Sequence, residues 1–389
     1  MDAIIMSLRA AREQHLLINV YQTEVTDFYT GYVEAVADDG VVLRTYNDAG
    51  LADGSAYIAR IAIDSIEVGG PDIDMISYRI QKSADHSFMA MPAAPLRLPL
   101  NAENPLLYQV AENMRRSGQA VVVVTLDSEN YLEGQVTAVT QTSLEMEVFN
   151  KFNYSDTRTI TLDFNSICSF EFEGYDLFLE SILLSHRSDL KHEPTSRYRN
   201  SGQMSKILPV VRDSKQLVAI ITRVNTDNFY VGRVQAMNAD FVVLQMLDMA
   251  GQFGGYALIR LRNIAYLLTD SDYIQTIVFY EGWADKQHFV QAPGLNRRRE
   301  FTDGADFLQD IVQEGDIMGK VLRVRSAQTV EAIQGRVVNV TDSSFDIEPI
   351  ATGTDAATTF KNAEVLDVTF DSVYGYLQEE WLRDNDDSE

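Results

Sequence analysis

The chain has 389 residues, 46% of them hydrophobic, which allows about two to four packed domains and excludes wholesale disorder. Its 57 acidic and 32 basic residues give a formal net charge of −25, which disfavours nucleic-acid backbones and favours basic partners. The single cysteine, Cys168, excludes an intramolecular disulfide. No apolar run reaches the ~18 residues of a membrane helix, so a cytoplasmic protein with no membrane contact is expected.

The first strands of the chain form a pattern with an interior glycine. A short helix and a β-branched run, residues 16–24, come first, and a second run then contains Gly31. Glycine inside a strand usually marks a bend, a bulge or a close backbone approach. Asp39-Gly40 gives a two-residue hairpin signal into the third strand. Two further runs complete five short strands, which is typical of a small barrel closed by a bent second strand.

The same pattern recurs along the chain. Residues 28–43 and 229–244 are identical at nine of sixteen positions, at an offset of 201. Fainter copies of the pattern lie between and after them. The glycines of the repeat mark an array in which two related parts, A and B, alternate. They are Gly31, Gly134, Gly232 and Gly335.

We therefore predict a mainly β fold with short helices, built from four tandem five-stranded barrels in a duplicated two-barrel unit. The predicted barrels are A1 (1–90), B1 (103–188), A2 (204–290) and B2 (303–383). The predicted linkers are 91–102, 189–203 and 291–302, and an acidic tail follows at 384–389. The predicted helices are 1–12, 72–82, 106–116, 175–185, 273–281, 305–313 and 375–383. The third of these has an apolar stripe that ends before Gly118, which is a typical helix stop.

The second and third strands resemble those of Sm-like proteins. TGYVEAVADDGVVL, from Thr30, and VGRVQAMNADFVVL, from Val231, carry the pattern x-Gly-x-Val-x-x-Val followed by Val-Val-Leu. Among Sm-like proteins they are most similar to the Hfq-like group of bacterial RNA chaperones. The resemblance implies an SH3-like barrel of five strands after a helix. It covers A1 and A2 well, and B1 and B2 only by glycine position and pattern.

The resemblance also implies where RNA would be contacted, at the junction of the fourth and fifth strands. Residues 59–62 occupy that place in A1 and include Arg60, whereas A2 has Arg260 and Arg262. The Lys-His pair of the bacterial members and the Asp-x-x-Met-Asn signature of the eukaryotic members are absent. Because function depends on the site and not on the fold, RNA binding is not inherited with the resemblance.

No motif of a catalytic, cofactor or metal site occurs in the sequence. It has no P-loop, no Gly-x-Ser-x-Gly and no Gly-x-Gly-x-x-Gly that opens a helix. None of the five histidines recurs at the 201-residue offset, and one cysteine excludes a multi-thiolate zinc site. We predict no catalytic residue, no cofactor and no metal, and therefore a protein that is not an enzyme.

Tyrosines and arginines are the candidate binding residues. Tyr29 and Tyr230 each follow a phenylalanine in the second strand, and adjacent strand residues point to opposite faces. One ring of each pair should enter the core, and the other should contact a neighbouring barrel or helix or form a binding surface; packing is the more usual role. The arginine triplet could touch phosphates or pair with acids in a solvated linker. The candidate arginines are Arg60, Arg260, Arg262, Arg297, Arg298 and Arg299.

Two classes of function fit these observations. The first is a non-enzymatic interaction or scaffold protein, whose partners are other proteins or further copies of the chain and whose barrels offer edge strands for pairing. The alternative is an RNA-binding regulator that uses a local arginine face, against the prevailing negative charge. A hydrolase that uses scattered carboxylates is the least favoured hypothesis.

Overall fold

The computed structural model describes most of the chain, in two compact units. The described residues are 3–23, 28–88, 98–101, 103–126, 131–224, 229–329, 331–350 and 356–386. Most of the predicted linker 91–102 and the end of the predicted tail 384–389 lie outside them. The first unit is Met1–His192 and the second is Glu193–Glu389.

The first unit is built on a ten-stranded antiparallel sheet. In chain order its helices and strands are α1 (Ala3–Gln14), β1 (Leu17–Gln22), β2 (Phe28–Val36), β3 (Gly40–Tyr46), β4 (Ala52–Ala59), β5 (Ile63–Glu67), α2 (Pro71–Asp85), α3 (Leu106–Ser117), β6 (Ala120–Thr125), β7 (Leu132–Val139), β8 (Ser143–Val148), β9 (Arg158–Asp163), β10 (Ile167–Phe172) and α4 (Tyr175–Ser185). Single 3₁₀ turns join β4 to β5 and β9 to β10.

The strand order of this sheet reveals two similar five-strand segments. The order is β5-β1-β2-β3-β4-β10-β6-β7-β8-β9. We call β1–β5 segment A1 and β6–β10 segment B1; in both, the fifth strand lies beside the first. Segment A1 joins segment B1 because β4 pairs antiparallel with β10, with Ile58 opposite Ser169 and Ser55 opposite Phe172.

The second unit is built on an eleven-stranded antiparallel sheet. Its helices and strands are β11 (Ser196–Arg199), α5 (Met204–Asp213), β12 (Val218–Thr222), β13 (Phe229–Met237), β14 (Phe241–Leu247), β15 (Phe253–Arg260), β16 (Ile264–Asp270), α6 (Asp272–Gln287), α7 (Phe307–Met318), β17 (Val321–Ser326), β18 (Ile333–Val338), β19 (Ser344–Pro349), β20 (Thr358–Lys361), β21 (Val365–Phe370) and α8 (Val373–Asp386).

This second sheet repeats the arrangement of the first and adds one strand. The order is β11-β16-β12-β13-β14-β15-β21-β17-β18-β19-β20. Segment A2 (β12–β16) joins segment B2 (β17–β21) because β15 pairs with β21, as β4 pairs with β10 in the first unit. The added strand, β11, pairs with β16 and covers the edge of segment A2.

The prediction of a mainly β protein is confirmed, with 38% of residues in strands and 32% in helices. The prediction of closed barrels is wrong, because the described strands form two continuous open sheets. The physical reason is the pairing partner of the fourth strand. Strand β4 uses its outer edge to pair with β10, and β15 uses the same edge to pair with β21, so neither strand closes back on its own segment.

A steric contact explains the glycine in each second strand. A Cβ atom on Gly31 would lie 2.2 Å from the carbonyl oxygen of Arg44 on the third strand. On Gly134 it would lie 2.1 Å from the carbonyl oxygen of Glu147. Gly232 and Gly335 have the same 2.1 Å approach in the second unit, to the carbonyl oxygens of Gln245 and Glu348. Any larger residue would force the two strands apart.

The core of the first unit runs continuously through both of its segments. One cluster of buried apolar side chains includes residues of helices α1 and α3 and of strands β1–β8 and β10. Helix α3 brings Leu106, Val110 and Met114 into it with no exposed surface, and ends at Gly118 in the left-handed conformation. Asp39 accepts a hydrogen bond from the Leu107 backbone, 3.1 Å, and so fixes the start of α3 on segment A1.

Candidate functional site

The second unit contains a cavity of about 470 Å³ beside the junction of β15 and β16. Its walls are formed by the end of β15, the 3₁₀ turn that follows β15, the β13–β14 turn and the start of α5. The lining residues are Asn200, Gly202, Met204, Ser205, Arg223, Ala239, Asp240, Arg260, Leu261 and Arg262. Three arginines thus converge on one cavity of a protein that is strongly acidic.

Backbone carbonyl groups hold these three arginines in place. Arg260 Nε donates to Val365 O at 2.6 Å and its Nη2 to Asn362 O at 2.5 Å. Arg262 Nη2 donates to Ala363 O at 2.6 Å. Asn362 and Ala363 lie in the loop between β20 and β21, and Val365 begins β21, so Arg260 and Arg262 also bind segment A2 to segment B2.

Arg223 completes the cavity from the end of β12. Its Nε donates to Arg262 O at 3.0 Å, and its Nη2 donates to Asn200 O at 3.4 Å. Both acceptors are again uncharged carbonyl groups. The cavity is thereby connected to the segment that carries β11, residues 189–203, which the sequence analysis predicted to be a linker.

The charges of these arginines are not neutralised by ion pairs within the described residues. Burial lowers the pKa of Arg260, and the nearby charge of Arg262 lowers it further, while Asp240 acts in the opposite direction. The Arg260 guanidinium lies over the Phe241 ring, 4.2 Å from its centroid. Helix α5 begins at the cavity with no acidic residue in its first turn, and a helix start favours anions. The cavity therefore suits an anionic group.

The first unit lacks this arrangement. At the 201-residue offset, Ala59 corresponds to Arg260 and Ile61 to Arg262, and Ile61 is 64% exposed. The candidate Arg60 lies in the 3₁₀ turn, and its backbone nitrogen donates to Asp39 O at 2.8 Å. Among the described residues, the positions of segment A1 that correspond to Arg260 and Arg262 thus carry no arginine.

The structure separates the members of the arginine triplet. Arg297 and Arg298 are exposed. Arg299 is held by carboxylates: it pairs with Glu314 through two hydrogen bonds, 3.0 and 2.5 Å, and with Asp371 at 3.0 Å. Its guanidinium also lies 5.1 Å from the Phe370 ring centroid. The triplet does not line the 470 Å³ cavity.

The two candidate tyrosines lie where A and B segments meet. The Tyr29 hydroxyl contacts Glu171 Oε1 at 2.5 Å and Ser169 Oγ at 3.2 Å, both on β10. The Tyr230 hydroxyl donates to Asp367 Oδ1 on β21 at 2.9 Å. The geometry places both rings against the neighbouring segment, one of the alternatives in the sequence analysis.

Sequence reasoning selected Arg260 and Arg262 but did not place them in a cavity with Asn200 and Arg223. The cavity combines residues of a predicted linker, two turns and a helix start, and no local pattern indicates that these meet. One available signal was the 201-residue offset, which shows that both arginines replace small or apolar residues of A1.

No helix in the described ranges is long and apolar enough to cross a membrane. No group of three or more His, Cys, Asp or Glu side chains among the described residues could hold a metal ion. No protein-family model matches the sequence, and a comparison with curated proteins finds no match.

Proposed function

We propose that this chain is a non-enzymatic interaction protein that associates with further copies of itself through the open edges of its first sheet. The observation that carries the proposal is the repeated pairing of a fourth strand with a fifth strand, β4 with β10 and β15 with β21. The same two kinds of edge recur at the ends of the first sheet, as β9 and β5.

The terminal strands of the first sheet match the strands that already pair inside the units. Strand β9 is the fourth strand of segment B1, and β5 is the fifth strand of segment A1. No described strand pairs with the outer edge of either. An open edge presents unpaired backbone groups that template the addition of another strand. In this proposal β9 of one copy pairs with β5 of the next.

The side-chain pattern of β9 is compatible with this use. Its residues alternate between exposed and half-buried, with Ile160 and Leu162 directed to the core and Thr159, Thr161 and Asp163 exposed. The Phe164 nitrogen donates to Thr142 O on the β8 side. Because N–H groups alternate along a strand, those of Thr161 and Thr159 point to the open edge.

The strand order also supports the finer interpretation that each segment is an Sm-like fold. All four segments have the order fifth-first-second-third-fourth, and all four have the glycine of the Sm-like pattern. We propose this relationship for the open five-strand segments and not for closed barrels.

Light scattering over a range of concentrations tests the proposed association. The wild-type chain should form oligomers as its concentration rises. Thr161→Pro removes one outward N–H group without removing a bond to β8, so it should shift the chain toward the monomer at least about tenfold, the equivalent of roughly one hydrogen-bonded contact. The control, Thr161→Ala, should behave as wild type. A wild-type chain that stays monomeric at every concentration contradicts the proposal.

The arginine cavity favours a second candidate function, RNA binding. Three arginines without ion pairs among the described residues, at the start of a helix, form the kind of site to which a phosphate group binds. The overall charge of −25 opposes it, so any contact must be local.

Filter binding of single-stranded RNA at two salt concentrations tests this candidate. Affinity should fall as salt rises, because phosphate contacts release counterions. Arg262→Gln should weaken binding by about tenfold or more, equivalent to ~1–3 kcal/mol for a charged hydrogen bond. Arg298→Gln, an exposed arginine outside the cavity, is the matched control. Absence of binding at low salt excludes RNA binding.

A further inference from the structure

Two buried glutamate side chains lie together in the first unit. Glu133 on β7 is 6% exposed, and Glu180 on α4 is 1% exposed. The two carboxyl groups are within hydrogen-bonding reach of each other, whereas Glu180 Oε1 has no hydrogen-bond partner among the described residues. Lys151 Nζ lies 2.7 Å from Glu133 Oε1. The cluster therefore contains two carboxyl groups and one ammonium group.

Among the described residues, the other titratable groups that act on this cluster do not supply a second positive charge. They are Asp176 on α4, Glu171 on β10 and Tyr131 immediately before β7. Burial opposes the charge of Lys151, but Glu133, Glu180 and Asp176 raise its pKa, so it stays protonated. Two ionised glutamates would leave one negative charge buried without a counterion, which is costly.

In the second unit, two uncharged side chains form the contact that corresponds to Glu133 and Glu180. At the 201-residue offset Glu133 corresponds to Gln334, and Gln334 Nε2 donates to Gln378 Oε1 at 2.8 Å. Gln334 and Gln378 thus form a neutral donor–acceptor pair between β18, the second strand of segment B2, and α8, the helix after its fifth strand. An amide pair supplies one donor and one acceptor, as a carboxylic acid does with a carboxylate.

Two further contacts establish that Gln378 is the counterpart of Glu180. The residue after Glu180 and the residue after Gln378 each accept a hydrogen bond from the first strand of their own B segment, β6 or β17. Ser181 Oγ accepts from the Ala120 backbone at 2.8 Å, and Glu379 Oε1 accepts from the Val321 backbone at 3.0 Å. Ala120 and Val321 are themselves 201 residues apart.

We propose that the buried Glu180 carboxyl keeps its proton at neutral pH beside Glu133, and that loss of this proton to solvent loosens α4 from strands β6 and β7. Helix α4 is attached to this hairpin by the Glu180–Glu133 contact and by the Ser181–Ala120 hydrogen bond. The Gln334–Gln378 pair is the version of the same contact that does not titrate. The carboxyl contact of the first unit is thus replaced in the second by an amide pair that does not titrate.

The direction of the pH effect follows from the pKa of Glu180. Burial, and next the charge of Glu133, raise this pKa well above its ordinary value of 4.5. A group with a raised pKa in the folded state stabilises the fold fully below its unfolded pKa, and this stability is lost as the pH rises through the folded pKa. The first unit should therefore open more readily as the pH rises from 5 toward 9, by up to about tenfold for each pH unit between the unfolded and the folded pKa, and with no further change above the folded pKa.

The chain has natural reporters for its two units. Cys168, the single cysteine, lies half-buried on β10 of the first unit. Both tryptophans, Trp283 on α6 and Trp381 on α8, lie in the second unit. Thiol labelling of the full chain thus follows opening of the first unit, and tryptophan fluorescence follows unfolding of the second.

Comparison of wild type with Glu180→Gln, which mimics the protonated carboxyl, tests the proposal. The labelling rate of Cys168 in wild type, divided by the rate in Glu180→Gln at the same pH, should be near one at pH 5 and rise about tenfold or more by pH 9. Taking the ratio cancels ionisation of the thiol itself. Infrared spectra at pH 7 should show the carbonyl band of protonated carboxyls in wild type, with less intensity in Glu180→Gln, which has one protonated carboxyl fewer.

A variant of the second unit tests the same idea in reverse, and does so even where Glu180→Gln fails to fold. Gln378→Glu should make the unfolding midpoint of the second unit, read from tryptophan fluorescence, fall more steeply with rising pH than it does in wild type. The proposal is overturned by a labelling ratio that stays at one between pH 5 and 9, by a missing carboxyl band in wild type, or by a Gln378→Glu midpoint that follows wild type.

Discussion

Single side chains connect the A and B segments of each unit across large sequence separations. Tyr230 and Asp367 are 137 residues apart, yet the hydroxyl of one donates to the carboxylate of the other. Asp367 is 1% exposed and also receives a hydrogen bond from Asn263 Nδ2, 3.2 Å. Burial raises the pKa of Asp367, and Arg325, Tyr230 and Asn263 oppose that shift. The carboxylate therefore depends on these donors to stay ionised.

Tyr230→Phe should destabilise the second unit by about 1–3 kcal/mol, because a buried carboxylate loses a hydrogen-bond donor. Urea unfolding followed by tryptophan fluorescence measures the change. Tyr198→Phe, on the exposed strand β11, is the control and should lie within about 0.5 kcal/mol of wild type. Equal losses in the two variants would show that the Tyr230 hydroxyl contributes nothing specific.

Sequence patterns identified Tyr29 and Tyr230 as candidates but did not predict the residues that they contact. The repeated Phe-Tyr pair singled out Tyr29 and Tyr230 because it survives in both A segments. Glu171 and Asp367 have no such mark, since they are not at corresponding positions of β10 and β21 and the chain is rich in carboxylates. The same holds for Glu133 and Glu180, whose importance is visible only when the second unit shows glutamines in their place.

At the scale of elements, the close approach of the second and third strands depends on glycine. A Cβ atom on Gly232 would lie 2.1 Å from the Gln245 carbonyl oxygen, which is backbone and cannot rotate away. The same contact occurs in all four segments, so it is a requirement of the segment and not of one loop.

Gly232→Ala should destabilise the second unit by about 1–3 kcal/mol, the usual cost of forcing an added methyl group into a packed site. Thermal unfolding followed by circular dichroism measures it. Gly282→Ala is the matched control, because Gly282 lies in α6 with no atom within 4 Å of the added Cβ. That change should be neutral or should stabilise by up to about 1 kcal/mol. A Gly232→Ala variant as stable as wild type would remove the steric explanation.

Local patterns predicted most elements, and the exceptions have identifiable causes. All seven predicted helices are present, and helix 175–185 has the predicted bounds. Helix α5 was not predicted, because Pro209 lies in its interior and proline usually breaks a helix. Strand β11 was not predicted either, since its stability comes from pairing with β16 and not from its own residues. The β4–β10 pairing is likewise non-local, which is why closed barrels were expected.

At the scale of the whole molecule, a pattern in the sequence has a counterpart in the strand order. The sequence pattern recurs at an offset of 201 residues, and the two sheets have the same order of ten strands and the same kind of joint. The two units differ in their candidate functional groups. The arginine cavity occurs in the second unit, and the buried Glu180 that we propose to stay protonated occurs in the first. Each copy thus acts as a comparison for the other.

Strand β11 has a consequence for the behaviour of the chain at high concentration. Strand β11, the four residues Ser196–Arg199, covers the edge of β16 and so prevents a strand of another chain from pairing with it. The strand carries two arginines, and Arg197 lies over the Tyr266 ring. Charged residues on a terminal strand act as gatekeepers against fibrillar aggregation. Strand β5, which corresponds to β16 in the first sheet, has no such covering strand among the described residues, so aggregation should begin at β5 in preference to β16.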